Sequence, residues 1–261
     1  MKKVIFSTII FIICCQKESD KTSNTRDEFI GDYCGNLTSE GTWASFDTKI
    51  EKSETRNNVI VFDYFDGVDS VEAIVKGYNL IIPEKTVQEE DRNAAGVYYY
   101  DFTVSGNGTL DISKHLIQIN RTATSDYGNG RISVEHSIIR MFNSSKYSYI
   151  GTFKGDSVQY SGMLSTGDST TVIVSSIKDS ISLDILIQHE GELFGWKKIK
   201  AIDNSCTIQI LEGDSIKDFP SNDKCLLNGG GQKFGDQLIF NLFAYYGTSL
   251  YIMNFSVTKT K

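Results

Sequence analysis

Nucleophilic catalysis requires a serine or cysteine within hydrogen-bond reach of a base, and the bases on offer are His115, His136 and His189. Each falls at a strand end or in alternating sequence, and none lies in a nucleophile elbow, so chance placement accounts for all three. Zinc would need a C-x-x-C or H-E-x-x-H arrangement, and the chain has neither. Asp63, Asp66, Gly67 and Asp69 form the most oxygen-rich cluster, yet their spacing departs from the calcium-loop pattern and reads as an acidic hairpin turn. Glu89-Glu90 would serve glycoside cleavage only beside an apolar wall that raised one pKa, and they fall instead in a charged loop, Gln88 to Asn93. The expectation is a non-enzymatic chain with no metal and no cofactor.

Aromatic side chains are the richer resource. Tyr98, Tyr99, Tyr100, Trp43, Trp196 and Tyr245-Tyr246 could stack on a ligand or simply pack the core, as most aromatics do in β proteins. Alternation along Tyr98–Tyr100 forces at least one ring outward on a two-faced strand. Tyr98, Tyr100, Trp43 and Trp196 are therefore the candidate ligand-binding residues. Cysteines add one more expectation. An exported chain meets an oxidising environment, and Cys206 and Cys225, flanking a long hairpin connection, are the expected disulfide. Cys34 is left over, because its counterpart in an internal repeat is Lys154.

That repeat sets the elements that must position these residues. Phe29 to Gly35 returns as Tyr149 to Gly155, Val59 and Val61 as Ile181 and Leu183, and Gly106-Asn107-Gly108 with Leu116-Ile117 as Asn228-Gly229-Gly230 with Leu238-Ile239. The offset stays near 120 to 122 residues, which implies tandem domains at 29–143 and 147–261, joined at Asn143-Ser144-Ser145-Lys146. Within each copy the apolar period is two, as in Ile181, Leu183, Ile185 and Ile187, so the elements are strands with one wet and one dry face. Copy one predicts eight of them, at 30–37, 43–51, 58–64, 70–76, 79–87, 97–104, 115–123 and 131–142. Asp66-Gly67, Gly106-Asn107-Gly108, Gly128-Asn129-Gly130 and Asn228 to Gly231 read as turns between strands. Eight sequential antiparallel strands close into a barrel, which removes exposed edges; a two-sheet sandwich shares the signature and is the alternative.

The N-terminus is of a different kind. Lys2 and Lys3 precede an apolar run, Val4 to Ile13, that is too short to span a bilayer and reads as a signal peptide. Cys15, with Ile12 three residues before it and the small Cys14 immediately before it, resembles the lipidated cysteine of a bacterial lipoprotein, which makes residues 1–14 the signal peptide. Residues 15–28 are polar and aperiodic, a flexible tether. Lys17-Glu18 just after Cys15 also resembles the surface-export signal of Bacteroidota lipoproteins. The expected location is the outer membrane, lipid-anchored and displayed on the cell surface, with a periplasm-facing anchor as the alternative. The whole chain has 26 basic and 33 acidic residues, and loss of Lys2 and Lys3 leaves 24 against 33. That acidic balance argues against nucleic acid as a partner.

Gly31–Gly35, Gly77–Pro83 and Ser105–Leu110, in that order, resemble the lipocalin-like β domains of Bacteroidota lipoproteins. The resemblance covers copy one well and copy two less so, where Ile208-Gln209-Ile210 replaces the Ile-Pro step. It implies two tandem eight-stranded antiparallel barrels and says little of activity. Three roles follow: a binding module for a small apolar ligand or another envelope component, a glycan-binding lipoprotein of a nutrient-uptake system, or an enzyme with a dispersed site. A roomy apolar cavity would point to the first, a filled core with an aromatic face to the second. Mass analysis of the mature N-terminus should show an acylated Cys15 preceding Gln16, and Cys15→Ala recovered fully membrane-bound would refute the anchor.

Overall fold

The computed structural model describes residues 25–260, apart from 40–41, 94–95, 129, 161–162, 178–179, 190, 212–214 and 220–223. Eight strands make the first barrel: β1 (Gly31–Ser39), β2 (Thr42–Lys52), β3 (Val59–Phe65), β4 (Val68–Lys76), β5 (Asn79–Asn93), β6 (Gly96–Asp111), β7 (Leu116–Asp126) and β8 (Ile132–Asn143). Each pairs antiparallel with the next, and β8 closes on β1 from Tyr33–Asn143 to Thr38–Ile138. The second copy runs through β9 (Gly151–Tyr160), β10 (Met163–Ile177), β11 (Ser180–His189), β12 (Glu192–Asn204), β13 (Thr207–Ile210), β14 (Ser215–Phe219), β15 (Lys224–Phe234), β16 (Gln237–Tyr246) and β17 (Ser249–Lys259). Here β13 and β14 both lie between β12 and β15, as two halves of one interrupted strand. With β17 paired to β9 and β11 to β12, the second ring also closes with eight strand positions. The fold is all-β, two tandem antiparallel eight-stranded barrels rather than sandwiches.

Period-two alternation explains both interiors. Ile60 and Phe62 share the inward face with Ile50, Val71 and Ala73, their register partners, and all are buried. Residues 25–29, of which 25–28 were expected in the tether, form a helical turn that drops Phe29 fully into the core at one end of the barrel. Tyr149 takes the corresponding place in the second copy. The joint at residues 143–146 is held by Asn143, which caps the short 3-10 turn Ser144–Lys146, and by the Ser144 hydroxyl, which donates to Asp32 O at 3.0 Å.

The repeat is present, but its offset slips. Ile60 and Phe62 are the inward counterparts of Ile181 and Leu183, whereas Val61 is only half-buried, so the offset is 121 (181 less 60), not 122. Likewise buried Ile117 answers buried Leu238. A one-residue slip reverses every face, so these later strands keep the core at 121, while the opening segment keeps it at 120, as buried Phe29 and Tyr149 show.

Two expected turns are strand interiors. Gly106-Asn107-Gly108 lies within β6 and Asn228 to Gly231 within β15. The glycines are needed for close approach: a Cβ at Gly106 would sit 2.8 Å from Asn120 O, and one at Gly108 2.6 Å from Gln118 O. Small-barrel curvature brings β7 onto β6 there. Asp66-Gly67, in contrast, is a true hairpin turn, with φ of 54° and 86°, the left-handed pair that favours Asp-Gly. Gln88 to Asn93 is also not a loop. It continues β5, paired with β6 out to Asn93–Gly96.

The disulfide differs from the expectation as well. Cys206 is bonded to Cys34, with Cα atoms 5.2 Å apart and a sequence separation of 172, and Cys225 is in no disulfide. Cys225 points into the second barrel, buried, where its sulfur accepts from Trp196 Nε1 at 3.1 Å. Cys34 occupies an outward position of β1, and Cys206 ends the tight turn between β12 and β13, so the two meet where the barrels touch. Closing so long a loop removes unfolded-state entropy equivalent to about 5 kcal/mol on the chain-entropy account. Peptide mapping without reduction should recover Cys34 linked to Cys206, with Cys225 alkylated only after unfolding. A Cys206–Cys225 pair would contradict the structure.

Candidate functional site

The first barrel is a cup with one high wall. β4 pairs with β5 only at Ile74–Ile81, Val75–Leu80 and Lys76–Asn79, and the β5–β6 hairpin continues well past that contact. Lys85 spans the gap by donating from Nζ to Ser70 O at 3.1 Å. Above the core, the inner faces of β6, β7 and β8 carry Gly106, Arg121 and Ser137 at one level, Val104, Ala123 and Glu135 at the next, and Tyr100 near the rim.

Arg121 is the floor of this mouth. Its side chain is only 4% exposed, and it pairs with Asp66 from the β3–β4 turn and with Glu135 at 3.2 Å. Its Nη1 also donates to the Ser137 hydroxyl at 3.0 Å. A buried guanidinium is tolerable only when its donors are matched in this way. Burial pushes the Asp66 carboxyl up to about 6, against the opposing pull of Arg121. Nothing in the local sequence marks this group, because Asp66 comes from the β3–β4 turn while Arg121 and Glu135 come from the two arms of the β7–β8 hairpin; the lone inward charge in an apolar-polar alternation (Ile117, Ile119, Arg121, Ala123) was the available signal.

At the rim, Tyr100 stacks on Tyr127 with centroids 5.0 Å apart, and Arg131 lies 4.9 Å above the Tyr127 ring. Tyr98 is 47% exposed and Tyr99 62%, on opposite faces of the part of β6 that rises above the barrel. Of the expected ligand residues, then, Tyr98 and Tyr100 share this rim. Trp196 does not join them: it is 3% exposed in the second core, held by the Cys225 contact, because its strand position faces inward. Trp43 lies in β2 opposite Thr38, and its side chain is outside the described residues.

The other sequence candidates are dispersed. His115 takes a left-handed turn, and its carbonyl accepts from Asn143 N at 3.1 Å. His136 faces outward on β8, with Nδ1 3.1 Å from Thr122 Oγ1, and the side chain of His189 is outside the described residues. Asp63 accepts from Lys49 N at 2.6 Å and from Thr48 Oγ1 at 2.9 Å, so it is turned to β2 while Asp66 is turned to Arg121. Glu89 and Glu90 sit on strand β5 opposite Tyr100 and Tyr99. In the second barrel the buried cation is Lys233, paired with Asp203 and 4.6 Å above the Tyr149 ring.

No protein-family profile matches the chain, and no curated protein does. Among solved structures, a protein of unknown function of the DUF3598 family from Nostoc punctiforme aligns over 92% of this chain and 99% of its own, at 10% identity and a TM-score of 0.26.

The Arg121 cluster generates a pH-dependent expectation. A carboxyl whose folded pKa is raised stabilises the fold while protonated, and that contribution is lost as pH rises through the folded value. Arg121→Met removes the charge that opposes the shift and leaves a buried carboxylate at neutral pH. Thermal melts should show a loss of about 3 kcal/mol at pH 8 and a much smaller loss at pH 5, where Asp66, with its pKa near 6, is largely neutral. A loss independent of pH would contradict the assignment.

Proposed function

We propose that the chain is a lipid-anchored, non-enzymatic binding module of a bacterial cell envelope, displayed at the outer membrane surface, which engages a glycan on the outside of its barrels. The observation that supports this over carriage of a small apolar ligand is the packing of the two interiors. Phe29, Phe62, Phe65, Ile60, Ile119 and Val104 meet in the first core. Phe153, Trp196, Phe240 and Phe255 meet in the second, with Phe240 and Phe255 stacked at 5.2 Å. Side chains fill these spaces, whereas tyrosine rings stand outside, on the β6 hairpin. An aromatic ring offers a sugar an apolar face and a hydroxyl edge together.

Export supports the same reading. The Cys34–Cys206 bond belongs to an oxidising compartment, and the signal-peptide pattern ending at Cys15 directs the chain there. The non-enzymatic assignment is supported by the neutralisation of the titratable cluster: Arg121, Asp66 and Glu135 satisfy one another.

Calorimetric titration of the mature protein with soluble envelope and plant polysaccharides should give saturable binding, weakened about tenfold or more by Tyr98→Ala with Tyr99→Ala, on the scale of an aromatic contact. A fluorescent fatty acid should give no saturable signal. Stoichiometric uptake of the fatty acid, unaffected by the tyrosine changes, would overturn the reading.

A further inference from the structure

Three open concavities lie on the outside of the molecule, away from the tyrosine rim. The first, about 600 Å³, lies over the outer face of β6, β7 and β8 and reaches Thr38 on β1. The second, about 350 Å³, lies over β13, β15 and β16 of the other barrel. Between them, a small cleft of about 80 Å³ is walled by Cys34 and Ser45 from one barrel and Cys206, Thr207 and Gln232 from the other.

These concavities adjoin one another. Thr207 and Gln232 line both the cleft and the second groove. Thr38 and Cys34, which line the first groove and the cleft, are outward residues of the same strand. Four residue steps along the strand set them about 13 Å apart. Between them Asn36 faces the same way, since its Oδ1 accepts from the Thr38 hydroxyl at 3.1 Å.

The chemistry along the path is of one type. Asn107, Asn120, Gln209, Gln232 and Asn241 are carboxamides, which donate and accept at once, as sugar hydroxyls do. Hydroxyls of Thr38, Ser45, Thr122 and Thr207 lie among them. Ile138 and Phe243, on outward positions, add apolar surface. Charge is limited and largely compensated: the first groove holds Arg121, consumed by its ion pairs, with Glu84 and His136 at its edge, the cleft holds Asp47 and the Asp203-paired Lys233, and the second groove has no charged lining residue. Gln232 supplies the decisive detail. Its Nε2 donates across the junction to Ser45 Oγ, while its Oε1 is buried and, among the described residues, meets no donor. Buried acceptors are rarely left in that condition, and a ligand hydroxyl would satisfy it.

We propose that the two grooves and the cleft form one track for a linear, neutral, polyhydroxylated chain, an oligosaccharide, which runs across both barrels. This rests on the glycan reading above and names a different surface for it. An extended peptide fits less well, because its backbone needs an unpaired strand edge, and β6, β7, β13, β15 and β16 under the grooves are paired on both sides. The disulfide holds the two halves of the track in register, so a long ligand gains from both grooves while a short one uses a single groove.

The test is calorimetry of the mature, oxidised protein with α- and β-linked neutral oligosaccharides of about two to about eight units, a span that brackets one groove and the whole track. Affinity should rise at least about tenfold with length, and Asn120→Ala and Gln232→Ala should each weaken the longest ligand by about tenfold, the worth of one or two hydrogen bonds. Cys34→Ser with Cys206→Ser should abolish the gain with length. Variants with wild-type β-type circular dichroism and cooperative melts report on binding rather than folding. Length-independent affinity, no saturable binding across the panel, or displacement by extended peptides would each overturn the track. If Tyr98→Ala abolishes binding while Asn120→Ala and Gln232→Ala are neutral, the glycan reading stands and the track falls.

Discussion

A single covalent bond between a strand of one barrel and a turn of the other joins the two halves of this molecule. Each barrel buries its own core, and the two cores share no strand. What joins them is the short turn at residues 144–146, the Cys34–Cys206 bond, and a few contacts such as Gln232 with Ser45. Cys34 can serve because it faces out of β1, at a place where the second copy carries the exposed Lys154. The turn that presents Cys206 is fixed in its own barrel: Lys233 N donates to Cys206 O at 2.9 Å, and the Lys233 side chain reaches Asp203. The bond therefore couples two rigid bodies rather than two loops.

Apolar side chains from opposite strands meet inside each barrel. Eight strands give an interior that inward side chains can fill or that can hold one small ligand. At the mouth of the first copy Arg121 replaces an apolar residue and draws Asp66 and Glu135 around it. Above that layer β5 and β6 continue past their neighbours, which exposes Tyr98 and Tyr99 although the pattern alone would bury one face.

Much of this was legible in the sequence, for a stated reason. Strands with one dry face must alternate, so six of the eight elements of copy one lie within three residues of their expected places, while β5 and β6 run six and seven residues past their expected ends. Glycine was ambiguous because it serves two ends, as at Gly67, where φ is positive, and at Gly106 and Gly108, where a neighbouring strand comes too close for a Cβ. The sequence-derived offset of the repeat was out by one because matching residue types does not record which face they occupy. The disulfide was out of reach altogether: Cys206 and Cys225 lie near each other in sequence, but one ends an exposed turn and the other points into a core. Trp196 was misplaced for the same reason, since a large aromatic reads alike whether it faces in or out.

Cys34–Cys206 holds the two barrels in one arrangement. Small-angle X-ray scattering of the full chain before and after reduction tests this directly. The oxidised protein should scatter as one compact pair of barrels, and reduction should raise the radius of gyration and broaden the interdomain distances while circular dichroism stays unchanged. Identical scattering curves in the two states would show that the bond does not set the arrangement, and would contradict the account.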